Sequence, residues 1–434
     1  MTYILYIIMK KILFIIPYVP YPLNSGGNQA FFNMVDYIRR QMSVSLLLYP
    51  DSDRNEANLE QLKKVWPDVD FYVFTRDMAK PAVRHPFYYK WLGKAKASLT
   101  RKMRRQLLAS ETQDLVRKKS TLWKSMPGLL DSAYMDYVVE VAGRGFDIIQ
   151  VEFYELIELG YLLPRDVPTV FVHHEIRFIR NQNEMALFED VTPQERMLYE
   201  MAKDFECMAL KQFGHIVTLT DTDARILSDL TGCSERIRTS PAIVRMPERK
   251  DMKDFLPATD RLTFVGSEDH FPNLDAVDWF CREVIPCLRR RGLKFKVQVV
   301  GQWRGDRIKE LCAACPELEL PGFVEDLHEY LRGSVFLVPI RIGSGMRMKI
   351  LDAIASRAPI VTTTKGCEGL DFVSGTECLV ADDAEAFAES VVRLLGDVPG
   401  QERMAMQAEE KLSRIYDPAR MLDRRMAVYK EILS

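Results

Sequence analysis

Short apolar runs rich in Val and Ile alternate with helical periodicities along nearly the whole chain, and they do so in two successive series. A strand that is apolar on both faces must be covered on both faces, and strands separated by helix-length segments run parallel. In the first series the strands fall at residues 11–17, 44–49, 71–74, 148–153, 169–173 and 215–219, with helical patterns such as 28–40 and 55–65 between them. The second series begins at Arg261, with strands at 262–265, 296–300, 335–339, 360–363 and 378–380 and helices near 273–290, 304–315, 325–331, 346–356 and 384–395. The expected fold is therefore α/β, two Rossmann-like parallel-sheet domains facing across a cleft. A chain of 434 residues accommodates two such domains. The first is assigned residues 9–240 and the second 261–414, joined by a linker, 241–260, that carries Pro241, Pro247, Pro257 and mixed charge. A last helix, within about 415–434, falls after the second domain is complete and is free to pack back on the first. Open parallel sheets bind ligands where the carboxyl ends of strands meet helix N-termini, so two such edges across one cleft suit two ligands.

The net charge of −2 conceals an asymmetry. Between Arg76 and Lys124 fourteen Lys/Arg stand against three acidic residues, an excess of eleven that leaves −13 for the rest of the chain. Aromatics interleave with that charge, as in Phe87-Tyr88-Tyr89-Lys90-Trp91, ahead of Arg101-Lys102-Met103-Arg104-Arg105. The combination suits the interface of an anionic membrane, and a solvated helical face carries the same charge equally well. No RNA- or DNA-binding module accompanies it, so nucleic acid is not an expected partner. At the N-terminus an apolar run over 3–8 is broken by Lys10 and Lys11, far short of the roughly 20 residues of a spanning helix. No basic segment precedes it, as a secretory signal requires. Met9 is the expected natural start, with residues 1–8 an upstream extension. The chain is expected in the cytoplasm, with residues 76–124 offering a peripheral contact to the inner face of the membrane. The close pair Cys312 and Cys315 lies on an amphipathic helical pattern, and no second pair completes a zinc site.

The most specific segment runs Pro339-Ile340-Arg341-Ile342-Gly343-Ser344-Gly345-Met346-Arg347-Met348-Lys349-Ile350-Leu351-Asp352. It follows an apolar strand and opens a helix. Gly343 and Gly345 let the backbone approach a ligand and leave amides at a helix N-terminus, which is an anion site. Arg347 and Lys349 put positive charge into the first turn, where it opposes the helix dipole unless an anion is bound. Asp352, one to two turns on, is placed to take two ribose hydroxyls. A glycine loop with a solvated basic face is the plainer alternative.

This segment, continued by Gly366-Cys367-Glu368-Gly369-Leu370, resembles the donor-binding signature of GT-B glycosyltransferases of family 4, in the subgroup with a G-S-G-x-R-x-K pattern. The resemblance extends to Phe264-Val265-Gly266-Ser267, Pro272-Asn273-Leu274 and Pro321-Gly322-Phe323-Val324, and covers most of residues 261–397. It implies a hexosyl transfer from a nucleotide-sugar donor to a glycan or lipid-linked acceptor, retaining, without metal or cofactor, in cell-surface polysaccharide or glycoconjugate synthesis. The implied donor site draws on Gly26, Gly27, Gly266, Ser267, Asn273, Val324, Arg341, Gly343, Ser344, Gly345, Met346, Arg347, Lys349, Asp352 and Glu368. His173, His174, Arg347 and Lys349 are the implied catalytic set. Two positions depart from the pattern. The glutamate expected eight residues before Asp352 is Ser344, and the usual Arg/Lys pair after the first strand of the second domain is missing from the segment Gly266 to His270. Arg347 and Lys349 are expected to neutralise the diphosphate instead.

In the first half, Ser25-Gly26-Gly27-Asn28 lacks the G-x-G-x-x-G spacing, which argues against a dinucleotide oxidoreductase. It reads either as a glycine pair beside the diphosphate or as a turn capped by Asn28. His173-His174-Glu175 ends the fifth strand on the same edge; successive side chains face opposite ways, so register decides which histidine enters the cleft, with His173 favoured. Glu152, ending the fourth strand, either faces the acceptor or caps the next helix, and Glu175 is assigned to the acceptor side with it. Asp51-Ser52-Asp53 and Asp221-Thr222-Asp223 precede helical patterns, where such residues serve as caps rather than metal ligands. Two other functions stay open, a catalytically weak or silent nucleotide-sugar-binding protein, which Ser344 favours, and a GT-B sugar-nucleotide epimerase.

Overall fold

The computed structural model describes residues 9–23, 26–49, 53–75, 78, 115–125, 130–242 and 254–434. The expectations for residues 1–8, and for the larger part of 76–124, lie outside the described residues. The first sheet holds β1 (Lys11–Ile16), β2 (Ser43–Leu48), β3 (Asp70–Val73), β4 (Ile148–Glu152), β5 (Thr169–His173), β6 (His215–Thr218) and β7 (Ile237–Thr239), in the order β3-β2-β1-β4-β5-β6-β7. The second holds β8 (Arg261–Val265), β9 (Lys296–Val300), β10 (Leu318–Gly322), β11 (Val335–Val338), β12 (Ile360–Thr362) and β13 (Leu379–Val380), in the order β10-β9-β8-β11-β12-β13. Every pairing between these strands is parallel. Strands β4, β5 and β11 are buried along their whole length, because helices cover both faces.

Two edge strands escaped the sequence pattern for one reason. Ile237-Arg238-Thr239 and Leu318-Glu319-Leu320-Pro321-Gly322 border only one neighbour each, so they need no continuous apolar run, and an edge tolerates Pro321. The helix expected over 273–290 contains a π turn, Phe280–Val284, between Phe271–Trp279 and Ile285–Arg290. Pro286 has no amide hydrogen to donate back into the preceding turn, which accounts for the interruption.

The strand order reverses between β1 and β4 and between β8 and β11. At such switch points the loops leaving adjacent strands part in opposite directions and open a crevice. The segments after β1, β4, β8 and β11 carry Gly26-Gly27, Phe153, Gly266-Ser267 and Gly343-Ser344-Gly345 respectively.

The helix Val398–Ile415 belongs to the second sheet's domain, where Gln401 accepts from the Ala258 amide at 2.8 Å and donates to its carbonyl at 2.9 Å. The following helix, Pro418–Leu433, packs on the first. Its Arg425 donates to Ser240 Oγ at 2.8 Å, and its Tyr429 donates to Gln150 Oε1 at 2.7 Å. No helix among the described residues is long and apolar enough to cross a membrane.

Candidate functional site

The crevices of the two sheets face each other around a cleft of about 430 Å³ that opens to solvent. From the first domain the walls include Gly26, Gly27, Phe153, Glu155, His174, Glu175, Arg177 and Arg180; from the second they include His270, Ser344, Met346 and Arg347. The domains touch across this space. A Cβ on Gly26 would lie 2.8 Å from Met348 Cβ, and one on Gly345 (φ +78°) would overlap the carbonyl oxygen of His174. Gly343 donates its amide to Asn183 Oδ1 at 3.1 Å. Ser344 is buried, and its Oγ accepts the Ile176 amide at 2.6 Å, just ahead of the helix Arg177–Ala186. The serine found where the resemblance expects a glutamate is thus tied to the opposite domain, through the amide of the residue that caps the helix Arg177–Ala186.

Arg347 is the residue of the cleft that points most directly to an anionic ligand. One nitrogen, Nη1, donates to the Ser344 carbonyl at 2.6 Å, while Nε and Nη2 are shut away from solvent with no partner among the described residues. Burial lowers its pKa, and the carboxylates of Glu175, Glu368 and Asp223 offset that only in part. It stands at the head of the helix Met348–Ala355, which has no side-chain cap among the described residues; the Ile350 amide donates to the Arg347 carbonyl at 3.0 Å, and a helix head without a side-chain cap suits an anion. Lys349 donates to Asn273 Oδ1 at 2.6 Å and sits 4.2 Å over the Phe264 ring. Burial first, and Arg347 second, pull its pKa down to about 7. Asn273 in turn donates to the Ser267 carbonyl at 2.9 Å and leaves no room for a side chain on Gly266. Gly266, Ser267, Asn273 and Lys349 therefore form one network beside Arg347.

The histidines divide as the strand pleat requires. His173 is buried against Glu206, Nε2 to Oε1 at 2.7 Å, and is turned away from the cleft, contrary to the preference for it. His174 lines the cleft with its ring stacked on Phe153, centroids 4.1 Å apart. Its Nε2 meets Oε2 of the buried Glu152 at 2.5 Å. Glu152 also accepts from Gln150, the residue held by Tyr429, so a chain of side chains runs from the last helix to His174. Phe153 holds φ at +71°, an uncommon conformation for a side chain of that size, of the kind that concentrates at functional sites.

Other expected residues lie elsewhere or differently. Arg341 is engaged by Asp275 at 2.6 and 3.1 Å and lies over Trp279, so it is committed to an ion pair rather than open to a donor. Asp352 faces His328, Oδ1 to Nε2 at 3.5 Å, beyond the walls of the cleft proper. Val324 is half-buried in the loop that follows β10. Glu368 takes Lys365 at 2.8 Å on Oε1 and keeps a buried Oε2 without a partner among the described residues. Glu175, placed with the acceptor in the sequence, stands instead against the glycine loop, its Oε1 2.9 Å from where a Cβ on Gly343 would be. In the triplet Asp221-Thr222-Asp223 both aspartates fall in the first turn of a helix capped by Thr220. Among the described residues no group of three or more His, Cys, Asp or Glu is placed to hold a metal. Arg177, Arg180, Phe153 and His270 line the cleft without having stood out in the sequence. Their signal is positional only: Phe153, Arg177 and His270 lie in the segments that follow β4, β5 and β8, and Arg180 lies further along the helix Arg177–Ala186.

Residues 259–397 match the family model described as glycosyl transferases group 1. Over 176 residues the chain is 24% identical to a Klebsiella pneumoniae protein named "Uncharacterized 44.6 kDa protein in cps region", covering 39% of this chain and 45% of that protein, less than half its length. Among solved structures, a mutant of TarM from S. aureus in complex with fondaparinux, alpha-GlcNAc-glycerol and UDP superposes with a TM-score of 0.67 at 11% identity, over 98% of this chain and 100% of that one. Anabaena Alr3699/HepE in complex with UDP and glucose gives 0.61 at 12% identity, over 97% and 99%. At such identities the likeness is one of fold, the two-domain GT-B arrangement.

Proposed function

We propose that this chain is a glycosyltransferase that moves a sugar from a nucleotide-sugar donor, held at Arg347 and Lys349, to an acceptor held against the first domain. The observation that carries the reading is the pair of buried, unpartnered Arg347 nitrogens at an uncapped helix head inside the cleft. A buried guanidinium left in that state is destabilising until an anion with several oxygens fills it, and a diphosphate does so. The match over residues 259–397 points the same way.

In the reaction the bond from the anomeric carbon to the diphosphate oxygen breaks and the acceptor oxygen bonds to that carbon. The acceptor proton passes to the departing phosphate, on the retaining course implied by the family 4 resemblance. The protein's share is electrostatic: Arg347, Lys349 and the helix head stabilise charge as it develops on the leaving group. Closure of the two domains aligns donor with acceptor, and no metal or cofactor enters the proposal. His174, held by the buried Glu152 behind it, faces the transferring sugar. A glycan or lipid-linked acceptor, and a role in cell-surface polysaccharide synthesis, fit a relative from a cps region. A peripheral position on the inner face of the membrane is proposed through the charge of residues 76–124.

A second reading, a binding protein without turnover, draws on Ser344, whose hydroxyl is committed to Ile176 where the resemblance expects a carboxylate. The test is a thermal-shift and calorimetric screen of UDP-, GDP-, ADP- and TDP-sugars against the wild type and Arg347→Ala, followed by assay of nucleotide release with glycan and lipid fractions. One donor should stabilise the wild type and not the variant. Equal stabilisation of both would remove the phosphate assignment, and binding without release in any fraction would favour the second reading.

A further inference from the structure

We infer that Glu175 reads a hydroxyl of the sugar carried by the donor, so that the first domain supplies the carboxylate of the sugar subsite; this rests on the nucleotide-sugar reading above. Three observations carry it. Oε2 of Glu175 is fixed by Arg180 Nη1 at 3.0 Å, whereas no described residue donates to Oε1. The side chain keeps 21% of its surface open, and that surface faces the cleft. The point where a Cβ on Gly343 would sit lies 2.9 Å from Glu175 Oε1 and 2.9 Å from Arg347 Nη2, so a carboxylate oxygen and a guanidinium nitrogen, neither with a partner among the described residues, stand on either side of one glycine.

Those two atoms impose opposite demands. Arg347 takes phosphate oxygens; Glu175 repels them and accepts from O–H or N–H donors. A ligand satisfying both carries its phosphate on one side and hydrogen-bond donors on the group next to it, as a sugar joined to a diphosphate does. Of the acidic residues that line the cleft, Glu175 is the one placed for the task. Glu155 is largely exposed and paired with Arg177 at 3.2 Å, and Glu152 is taken by His174. Burial alone would push the Glu175 pKa up, but Arg180, His270, Arg177 and Arg347 together hold it at about 2, so the acceptor oxygen is ionised at any working pH. Gly343, at φ +117°, is then required twice over, for its backbone and because any side chain would part Glu175 from Arg347.

The experiment is calorimetry of Glu175→Gln, which keeps an oxygen for Arg180, with UDP and UDP-glucose first and then the nucleotide pair selected by the donor screen. Mono-deoxy analogues of the donor sugar complete the set. The affinity of the bare nucleoside diphosphate should stay within about threefold, while the gain conferred by the sugar should fall roughly tenfold. One deoxy analogue should weaken the wild type by a similar factor and Glu175→Gln hardly at all. Glu175→Asp, which withdraws the carboxylate while keeping its charge, should behave like Glu175→Gln. Equal weakening of diphosphate and sugar nucleotide, or an unchanged sugar gain, would overturn the inference while leaving the nucleotide site intact. Absence of any nucleoside diphosphate binding by the wild type would overturn both.

Discussion

Nucleotide binding should draw a proton onto Lys349. In the free protein, burial and the adjacent Arg347 hold this amine at a pKa of about 7. At pH 8 such a group is roughly one-tenth protonated, whereas a phosphate beside it restores the ordinary lysine value near 10.4 and full protonation. Each ligand bound at pH 8 should therefore take up about 0.9 proton, and affinity should fall nearly tenfold per pH unit between about 8 and 9.5. The assay is titration calorimetry of UDP, or of the nucleotide that the screen selects, in buffers of different ionisation enthalpy. The slope of observed enthalpy against buffer enthalpy counts the protons. Lys349→Met should bring that slope to about zero. A wild-type slope near zero, or a slope that survives the substitution, would refute the placement of Lys349 at the phosphate. The same depression has a consequence for stability. Between about 7 and 10.5 the unfolded chain binds a proton that the folded one lacks, so the ligand-free protein should gain stability as pH rises through that window.

Arg347→Ala should weaken nucleoside diphosphate binding by roughly a hundredfold, two charge-assisted hydrogen bonds being lost, with the melting temperature held or raised because a buried charge is removed. Ser344→Ala should cost about 1–3 kcal/mol in urea unfolding by stranding the Ile176 amide at the domain joint, and an unchanged midpoint would show that water replaces the hydroxyl. Gly345→Ala combines a left-handed backbone with overlap onto the His174 carbonyl; solution scattering should report a more open molecule, and nucleotide affinity should fall with it.

The sheets were legible because their central strands are apolar throughout, and the anion site because glycines and charge coincide at one strand end. What was not legible depends on distance along the chain. His173 is drawn inward by Glu206, 33 residues on, and Arg341 is claimed by Asp275, 66 residues before it. Neither partner has a local signature. Glu175 was assigned to the first domain's ligand because it lies in the first domain, yet in the folded chain it stands against the second domain's loop. The histidine preference failed on register, which a one-residue shift reverses.

The last helix, finally, alters what kind of machine this is. Because the chain leaves the first domain after β7 and returns to it at Pro418, the halves are joined at two places, as a door is hung on two pins. A single tether would let the halves swivel in any direction; a pair defines one axis, and the space between Arg347 and His174 lies between the two halves that it joins. The same helix anchors the side-chain relay through Gln150 and Glu152, so trimming the chain's final turns would slacken both the hinge and a wall of the cleft at once.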